Sequence, residues 1–475
     1  MQIEIVRRNL IFVWLASVFL GVAAALILLP LTNAIIVIGG ALAVLALLRW
    51  HELALWVLVF AVPYGSWLPL PTGFGNITAV DLFVAFILAL WLARMIAQAR
   101  AIAIHFPPLS FPFALFLGAA LLSMTGATSL EASIKEFVKW FEMFAVYVYV
   151  ANNLDEAKTK RLLVVMFLAG MSQAAIGVYQ FLFRAGPEGF ELFGRFMRAY
   201  GTFEQPNPYA GYLALIIPVA LGVVSGFKFK VQGSIRAQLL TFNFELAALL
   251  ALAAMLTAVV MSWSRGAWLG VGAGMIVTII VQSRRAFILS IIAAFGLTFV
   301  ILLSSINLIP TAIADRFAGI GDYFGVFDVR GVKVDDANYA IVERMAHWQS
   351  AAMMWAGNPA LGVGIGNYAA AYPRYSLPRW DDPLGHAHNY YLNIAAETGT
   401  LGLLAYLILW ASALGQSWRA VRTSSGIWKS VAAGLLGMLV ALSMHNVFDN
   451  LFVHGMAVQV GMALGLAAQI KEFKA

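Results

Sequence analysis

The chain has 475 residues, of which 62% are hydrophobic and only 11% are charged, and its mean hydropathy is +0.84. Soluble domains carry about 25% charged residues, so this composition excludes an ordinary soluble protein and indicates an integral membrane protein. The absence of cysteine excludes disulfides and thiol chemistry. Basic loops on one side of a membrane explain much of the net charge of +7, and the sequence contains no nucleic-acid-binding module.

Apolar segments that are long enough to cross a bilayer, or nearly so, follow one another along the whole chain. They are residues 9–29, 32–48, 52–64, 79–97, 109–124, 134–151, 162–182, 207–225, 243–262, 266–282, 286–304, 389–414, 428–444 and 452–469. The second and third are short and could be half-spans. We therefore predict an all-α, polytopic integral membrane protein of about 12 to 14 transmembrane helices with one long, partly helical outer loop.

These segments divide the chain into three parts. Residues 1–304 form N-terminal transmembrane helices with short loops, residues 305–388 form one large loop, and residues 389–475 form the C-terminal transmembrane helices. The first apolar run is too long for a signal-peptide core, so we predict that it is an uncleaved first span. Lysine and arginine concentrate in alternate short loops, which predicts that both termini are cytoplasmic and that the large loop faces outward.

Three outer segments carry specific polar sequence. The loop at about 183–206 contains Arg198 and runs into Gly201-Thr-Phe-Glu-Gln-Pro-Asn207, and a short outer turn, Ser262-Trp-Ser-Arg-Gly-Ala-Trp268, contains Arg265. In the large loop, residues 339–356 are predicted to form an amphipathic helix. Its predicted apolar stripe is Ile341, Met345, Trp348 and Ala352, with Glu343, Arg344, His347 and Ser350 away from it.

The large loop re-enters the membrane at His386-Ala-His388-Asn389, and the polar residues Asn389, Asn393 and Glu397 then share one helix face. Polar groups on a helix that enters a bilayer usually face the bundle interior or a wet cavity. A helix N-terminus also attracts anions. The stretch therefore predicts either a site with a titratable base at the membrane surface or a helix cap with two interfacial histidines.

Each remaining candidate has an alternative interpretation. Arg265, in an apolar turn, needs a partner or an anionic ligand unless it snorkels to the surface, and Arg344 and Arg198 could be ordinary solvated residues. Lys139 and Glu142 fit a snorkelling pair better than a site. A zinc site could in principle be formed by His386, His388, His445 and Asp449. No compact zinc motif and no P-loop is present, so we predict no metal and no cofactor.

His388-Asn389, nine further residues and then Gly399-Thr-Leu-Gly402 resemble the H-[NSQ]-x9-G-x-x-G pattern of bacterial O-antigen ligases. The Ser-Arg-Gly at 264–266, the run from Arg344 through Asn358-Pro-x-Leu-Gly-Val-Gly, and the run from Arg198 to Asn207 also look like that family. The resemblance covers roughly residues 195–465. It is specific for the ligase and polymerase superfamily, and less so for ligase over polymerase.

The resemblance implies a metal-independent glycosyltransferase in the bacterial inner membrane, with its active site facing the periplasm. It would move a glycan from undecaprenyl pyrophosphate to a sugar of lipid A–core, and direct attack by one hydroxyl would invert the anomeric centre. By the same resemblance His388 would be the general base or a group that orients the acceptor, and a histidine pKa near 6.5 suits a base. Arg265, Arg344 and Arg198 would bind the pyrophosphate, supported by Asn389, Asn207, His386 and Glu397.

Two other functions remain open. A polymerase that extends the lipid-linked glycan, or a ligase for another acceptor of the same superfamily, would share this motif. A membrane transporter is also compatible with a polytopic chain, although transporters place polar residues near mid-membrane, whereas here charge gathers at the outer helix ends. Expected partners are the lipid-linked glycan donor, the glycan acceptor and membrane lipids, with no nucleic acid.

Overall fold

The computed structural model describes residues 30–65, 70–72, 75–99, 102–192, 194–226, 235–283, 285, 288, 328–335, 338–470 and 473. The span that we predict at 9–29 lies outside the described residues, as does nearly all of 286–304. Residues 305–327 of the large loop also lie outside them.

Helices dominate the described part of the chain. In chain order they are α1 (Leu31–Arg49), α2 (His51–Tyr64), α3 (Ala79–Ala99), α4 (Ser110–Ser123), α5 (Leu130–Asn153), α6 (Glu156–Phe183), α7 (Pro206–Ala214), α8 (Ile217–Ser225), α9 (Ile235–Met261), α10 (Arg265–Ile280), α11 (Tyr339–Gly357), α12 (Tyr368–Ala371), α13 (Tyr390–Thr423), α14 (Gly426–His445) and α15 (Met456–Gln469). The strands in these residues form two short antiparallel pairs, β1 (Leu70–Thr72) with β2 (Gly75–Ile77), and β3 (Glu191–Leu192) with β4 (Phe196–Met197).

Many of these helices are suited to a bilayer. Six are long and apolar enough to cross it, at Ala79–Ala97, Glu156–Phe183, Pro206–Ser225, Asn243–Met261, Tyr390–Thr423 and Gly426–His445. Shorter apolar helices lie at Ile38–Arg49, Glu52–Tyr64, Ser110–Gly126, Arg265–Ile280 and Met456–Gln469. The prediction of an all-α, polytopic membrane protein is therefore confirmed.

Helices α5 and α6 each begin where a side chain caps the first turn. Ser129 accepts a hydrogen bond from the backbone N of Ala132 at the start of α5, and Asp155 accepts one from Lys158 N at the start of α6. Such oxygen acceptors satisfy N–H groups that have no partner within the helix. Each loop residue therefore fixes where its helix enters the bundle.

Small residues let the C-terminal helices approach their neighbours closely. Helix α10 packs on α14, where a Cβ added to Gly437 would lie 2.5 Å from the backbone O of Gly274. Helix α15 packs on α5, where a Cβ added to Gly461 would lie 2.5 Å from the O of Met143. Contacts between small residues are typical of helices that associate in membranes, where van der Waals packing replaces the hydrophobic effect.

A buried aromatic cluster joins α5 and α13 to the loop that precedes α15. The rings of Trp140 and Phe452 lie 4.9 Å apart, Tyr390 lies 4.7 Å from Phe452, and Tyr390 lies 5.6 Å from Tyr406. All four rings are buried. Because Tyr390 is the first residue of α13, this cluster fixes the start of the helix that follows the predicted site.

Helix α13 is interrupted at Gly399, where the backbone φ is 64° and ψ is −167°. Loop residues 358–367 lie against the interruption and form four backbone hydrogen bonds with residues 396–401, at N···O distances of 2.8–3.3 Å. A Cβ on Gly399 would lie only 2.3 Å from the backbone C of Ala360, so only glycine fits there. The loop thus satisfies polar groups that the interruption frees inside the bundle.

Candidate functional site

The turn at 386–389 is held by the first turns of α13. The backbone N of Ala387 donates to Asn393 Oδ1 at 3.0 Å, and Asn389 Oδ1 accepts from Leu392 N at 3.0 Å, which makes Asn389 the helix cap. Asn389, Asn393 and Glu397 are all buried, as their shared face predicted. The cap is therefore present, the polar face points into the protein, and the interpretation as a site stays a prediction.

Glu397 supports the loop rather than the histidine turn. Its two carboxylate oxygens accept hydrogen bonds from Gly366 N at 2.9 Å and from Tyr368 N at 3.0 Å. Glu397 therefore holds the loop between α11 and α13 against the first half of α13.

His388 has an unusual backbone and an unpartnered ring. Its φ is +51°, in the left-handed region that non-glycine residues rarely adopt. Its backbone N donates to Nδ1 of His386 at 3.0 Å, and its carbonyl accepts from Nε1 of Trp348 at 3.2 Å. Both ring nitrogens are buried and make no hydrogen bond with the described residues. Buried polar groups usually have a hydrogen-bond partner, and a substrate group could be the partner of this ring.

Asp449 lies between the two histidine rings. Because Nδ1 of His386 accepts from His388 N, its proton sits on Nε2, which lies 3.5 Å from Asp449 Oδ1. Nδ1 of His388 lies 3.9 Å from the same oxygen. Burial raises the pKa of Asp449, but His386, His388 and His445 together hold it below its usual range. We therefore assign an ionised carboxylate facing two neutral imidazoles.

The histidines are neutral at physiological pH. The pKa of His388 is lowered to about 3, mainly by burial and further by His386, Arg344 and His347, against the opposing charge of Asp449. Burial also lowers the pKa of His386, helped by Arg344 and Lys139. A neutral His388 has a nitrogen lone pair available to accept a proton.

The three predicted arginines gather at the same place, although they are far apart in sequence. Burial lowers the pKa of Arg198, and so do the nearby charges of Arg344 and Arg265. The Nε of Arg198 donates to the backbone O of Ser262 at 3.0 Å, and Arg265 is the first residue of α10. Arg344 in turn acts on the histidine pair. The start of α10 also adjoins the cluster, because a Cβ added at Gly266 would lie 3.1 Å from Cδ2 of His445.

Asn207 forms no hydrogen bond with this group in the described residues. It is half-buried in the first turn of α7, and its side chain forms no hydrogen bond with the part of the chain that the structure describes. Its neighbours are anchored elsewhere, because Gly201 N donates to Gln180 Oε1 on α6 at 2.7 Å. Its supporting role remains a prediction.

The apolar face that we predicted for α11 is wrong. The helix exists, at Tyr339–Gly357, but Ala352 is exposed, whereas His347 and Ser350 are buried. The reason is that the buried face packs against a polar aromatic surface. The Nδ1 of His347 lies 2.9 Å from the hydroxyl of Tyr368, and its ring stacks on Tyr372 at 4.9 Å.

The predicted pair of Lys139 and Glu142 is also wrong. Nζ of Lys139 lies 2.6 Å from Glu136 Oε1 and donates to the backbone O of Phe452 at 2.7 Å. Glu136 and Glu142 are each three residues from Lys139, and a glutamate on the N-terminal side of a lysine is the favoured arrangement on a helix. Lys139 thereby adds positive charge near His386.

Sequence reasoning gave too little weight to three residues of the cluster. The sequence suggests Asp449 only as a possible zinc ligand, places Trp348 in an apolar stripe, and places His347 away from that stripe. The ring of His347 lies 5.6 Å from that of His388 in an edge-on arrangement. The polar pair Asp449-Asn450, in an otherwise apolar C-terminal region, was the one sequence signal for the carboxylate.

A metal ion is compatible with part of this geometry. Ligand atoms of His386, His388 and Asp449 all lie within 4.8 Å of one another. However, the positive charges of Arg344 and Lys139 act on this group, so a divalent cation would meet repulsion there. The cluster suits an anion better, and the prediction that no metal is needed stays a prediction.

Taken as chemistry, the cluster combines a neutral buried base, an ionised carboxylate beside it, and several cations next to a helix N-terminus. This combination can accept a proton from a hydroxyl and stabilise a departing phosphate. The helix N-terminus of α10 adds to the attraction for an anion.

Comparisons with known proteins agree with part of this description. Residues 250–407 match the family model described as O-antigen ligase. This chain is similar to a solved chain from a peptidoglycan synthase complex, with 14% sequence identity and a TM-score of 0.43. The alignment covers 78% of the present chain and 98% of the solved one. A TM-score of this size supports no argument about fold or function. No curated protein matches the chain.

Proposed function

Because residues 250–407 match the O-antigen ligase family model, in keeping with the motif, we propose that this protein transfers a lipid-linked glycan. The proposed donor is a glycan on undecaprenyl pyrophosphate, and the proposed acceptor is a sugar of lipid A–core. The observation that carries the proposal is the buried, unpartnered ring of His388 beside Asp449 and next to the arginines.

In the proposed reaction the acceptor hydroxyl attacks the anomeric carbon of the donor. The new carbon–oxygen bond forms as the bond to pyrophosphate breaks, and the electron pair leaves with the pyrophosphate. The hydroxyl proton goes to Nε2 of His388, since Nδ1 is the ring nitrogen nearer Asp449. A single displacement from the opposite face inverts the anomeric centre.

Arg198, Arg265 and Arg344 are proposed to hold the pyrophosphate. Guanidinium groups form paired hydrogen bonds to phosphate oxygens and stabilise the charge that develops on the leaving group. The bound anion would also offset the charge of Arg344, which helps to keep the pKa of His388 low in the free protein. Donor binding is therefore expected to raise the basicity of His388 when a base is needed.

We further propose that the protein lies in the bacterial inner membrane with this site on the periplasmic face and both termini in the cytoplasm. The basic inner loops support this orientation. The residues of the large loop beyond α11 are the proposed place for acceptor recognition. No metal, nucleotide or other cofactor enters the proposed reaction, because the glycosyl pyrophosphate is already activated.

The test is transfer by purified protein from a synthetic polyprenyl-pyrophosphate glycan, without ATP or metal. The acceptors are lipid A–core, the lipid-linked glycan itself, and water. We expect product on lipid A–core from the wild type and none from His388→Ala. His105→Ala is the matched control, because the side chain of His105 is exposed and makes no contact with the cluster.

Each other outcome points elsewhere. Extension of the lipid-linked glycan would make the protein a polymerase, and transfer to a different acceptor would make it another ligase of the superfamily. Absence of transfer to every acceptor, together with ion-coupled uptake in vesicles, would replace the proposal with a transporter. Normal turnover by His388→Ala would remove the proposed base.

A further inference from the structure

The left-handed backbone of His388 needs restraints, because a non-glycine residue keeps such a conformation only where its surroundings over-determine it. The N–H of His388 is held by the ring of His386 at 3.0 Å. Its carbonyl is held by the indole N–H of Trp348 at 3.2 Å. The two hydrogen bonds therefore restrain both the backbone N–H and the backbone carbonyl of His388.

We propose that Trp348 is a positioning residue for the base. Its indole N–H would keep His388 in the left-handed conformation, and so keep the ring beside Asp449 and within reach of the arginines. Trp348 acts through His388, so this inference rests on the proposed function of that histidine.

Helix α11 carries both Trp348 and Arg344, and both residues act on His388. Arg344 and Trp348 are four residues apart, so they lie on the same side of one helical turn. Arg344 acts electrostatically on His388, and Trp348 bonds to its backbone. One rigid turn therefore sets the spacing between a phosphate-binding cation and the base.

The same helix supplies a matched control. The indole N–H of Trp355 donates to Thr400 Oγ1 at 3.1 Å, beside the interruption at Gly399. Trp355 is half-buried like Trp348 and lies about two turns further along α11. Its bond does not involve the turn at 386–389. Replacing either tryptophan by phenylalanine removes one indole hydrogen bond and keeps an aromatic ring.

The first experiment compares transfer by Trp348→Phe and Trp355→Phe, with thermal unfolding measured for both. Misplacing a catalytic group by about 1 Å costs on the order of 100-fold in rate, so we expect a loss of that size in the kcat of Trp348→Phe. The donor KM should not change, because Arg344 is retained. Trp355→Phe should keep the wild-type kcat. An equal loss of kcat in both variants would overturn the proposal, and so would a wild-type kcat in Trp348→Phe together with an unchanged reactivity of His388.

The second experiment needs no transfer activity. Diethyl pyrocarbonate modifies neutral imidazoles that expose a nitrogen, and peptide mass spectrometry resolves each histidine. Release of the strained turn should expose the ring, so His388 should react roughly fivefold faster in Trp348→Phe, with no change in Trp355→Phe. His105 provides the internal reference rate. If His388 reacts at the same rate in all three proteins, Trp348 does not position it.

The two experiments separate the possible failures. If His388 is not the base, kcat will not depend on Trp348, yet the reactivity of His388 will still rise in Trp348→Phe. If the reactivity does not change, the positioning role fails whatever the reaction is. Trp348→Tyr offers a hydroxyl donor to the same carbonyl, and it should recover part of the lost kcat.

Discussion

Asp449→Asn is the substitution whose effect the structure defines most closely. It keeps the size of the side chain and removes one negative charge 3.9 Å from Nδ1 of His388. When His388 takes the proton in the proposed reaction, the resulting imidazolium loses this partner. The substitution should not disturb the hydrogen bonds of the turn at 386–389, because none of those bonds involves Asp449.

The expected loss follows from the distance. Two unit charges 3.9 Å apart interact by roughly 4 kcal/mol at an effective dielectric constant of about 20. If the proton is fully transferred in the transition state, kcat should fall by about 1000-fold, and if it is half transferred, by about 30-fold. The loss should appear in kcat, since the carboxylate faces the base and not the proposed phosphate site.

The assay is the initial rate of transfer at saturating donor and acceptor, at a pH where the wild type is fully active. Asp328→Asn is the control, because it removes the same charge from an exposed carboxylate of the large loop, in a different segment of the chain. Thermal unfolding of both variants checks that each is folded. A kcat for Asp449→Asn equal to that of Asp328→Asn, in a folded protein, would refute the role of Asp449.

Three further predictions test other parts of the site. Because the pKa of His388 is lowered to about 3, kcat/KM should stay constant from pH 8 down to about pH 5. Bound pyrophosphate should raise that pKa, so kcat should begin to fall at a higher pH than kcat/KM does. A fall of both parameters at the same pH would contradict this. Chelators should not change the transfer rate, and inhibition that added Zn²⁺ reverses would instead support metal binding at the histidines. Gly399→Ala should lower the melting temperature, because alanine would be strained at φ +64° and its Cβ would lie 2.3 Å from Ala360. Gly415→Ala on the same helix meets no atom within 4 Å, so an equal loss in both variants would argue against that explanation.

Much of the architecture could be predicted from the sequence, because the governing signals are local. Apolar length, basic loops and polar helix caps each depend on neighbouring residues. The shared inner face of Asn389, Asn393 and Glu397 follows from the helical repeat alone, and the structure confirms it. The motif likewise selected His388 and the arginines, which the structure brings together.

The errors arose where a partner lies far away in the chain or where two local partners compete. Helix α11 buries His347 because Tyr368 and Tyr372, from a later segment, provide a polar aromatic surface. Lys139 binds Glu136 rather than Glu142, since a glutamate on the N-terminal side of a lysine is the favoured arrangement on a helix. Apolar periodicity finds a buried face only when that face packs against apolar groups.

The sequence by itself determined that this is a polytopic helical membrane protein with the motif of O-antigen ligases, and it identified the histidine and the arginines of the candidate site. Only the tertiary structure decided that Asp449 lies beside His388, that Trp348 holds the backbone of that histidine, and that a loop lines the interruption at Gly399. The physical reason is that hydropathy and helical periodicity are properties of neighbouring residues. Hydrogen bonds and charge contacts between distant segments exist only once the bundle has packed.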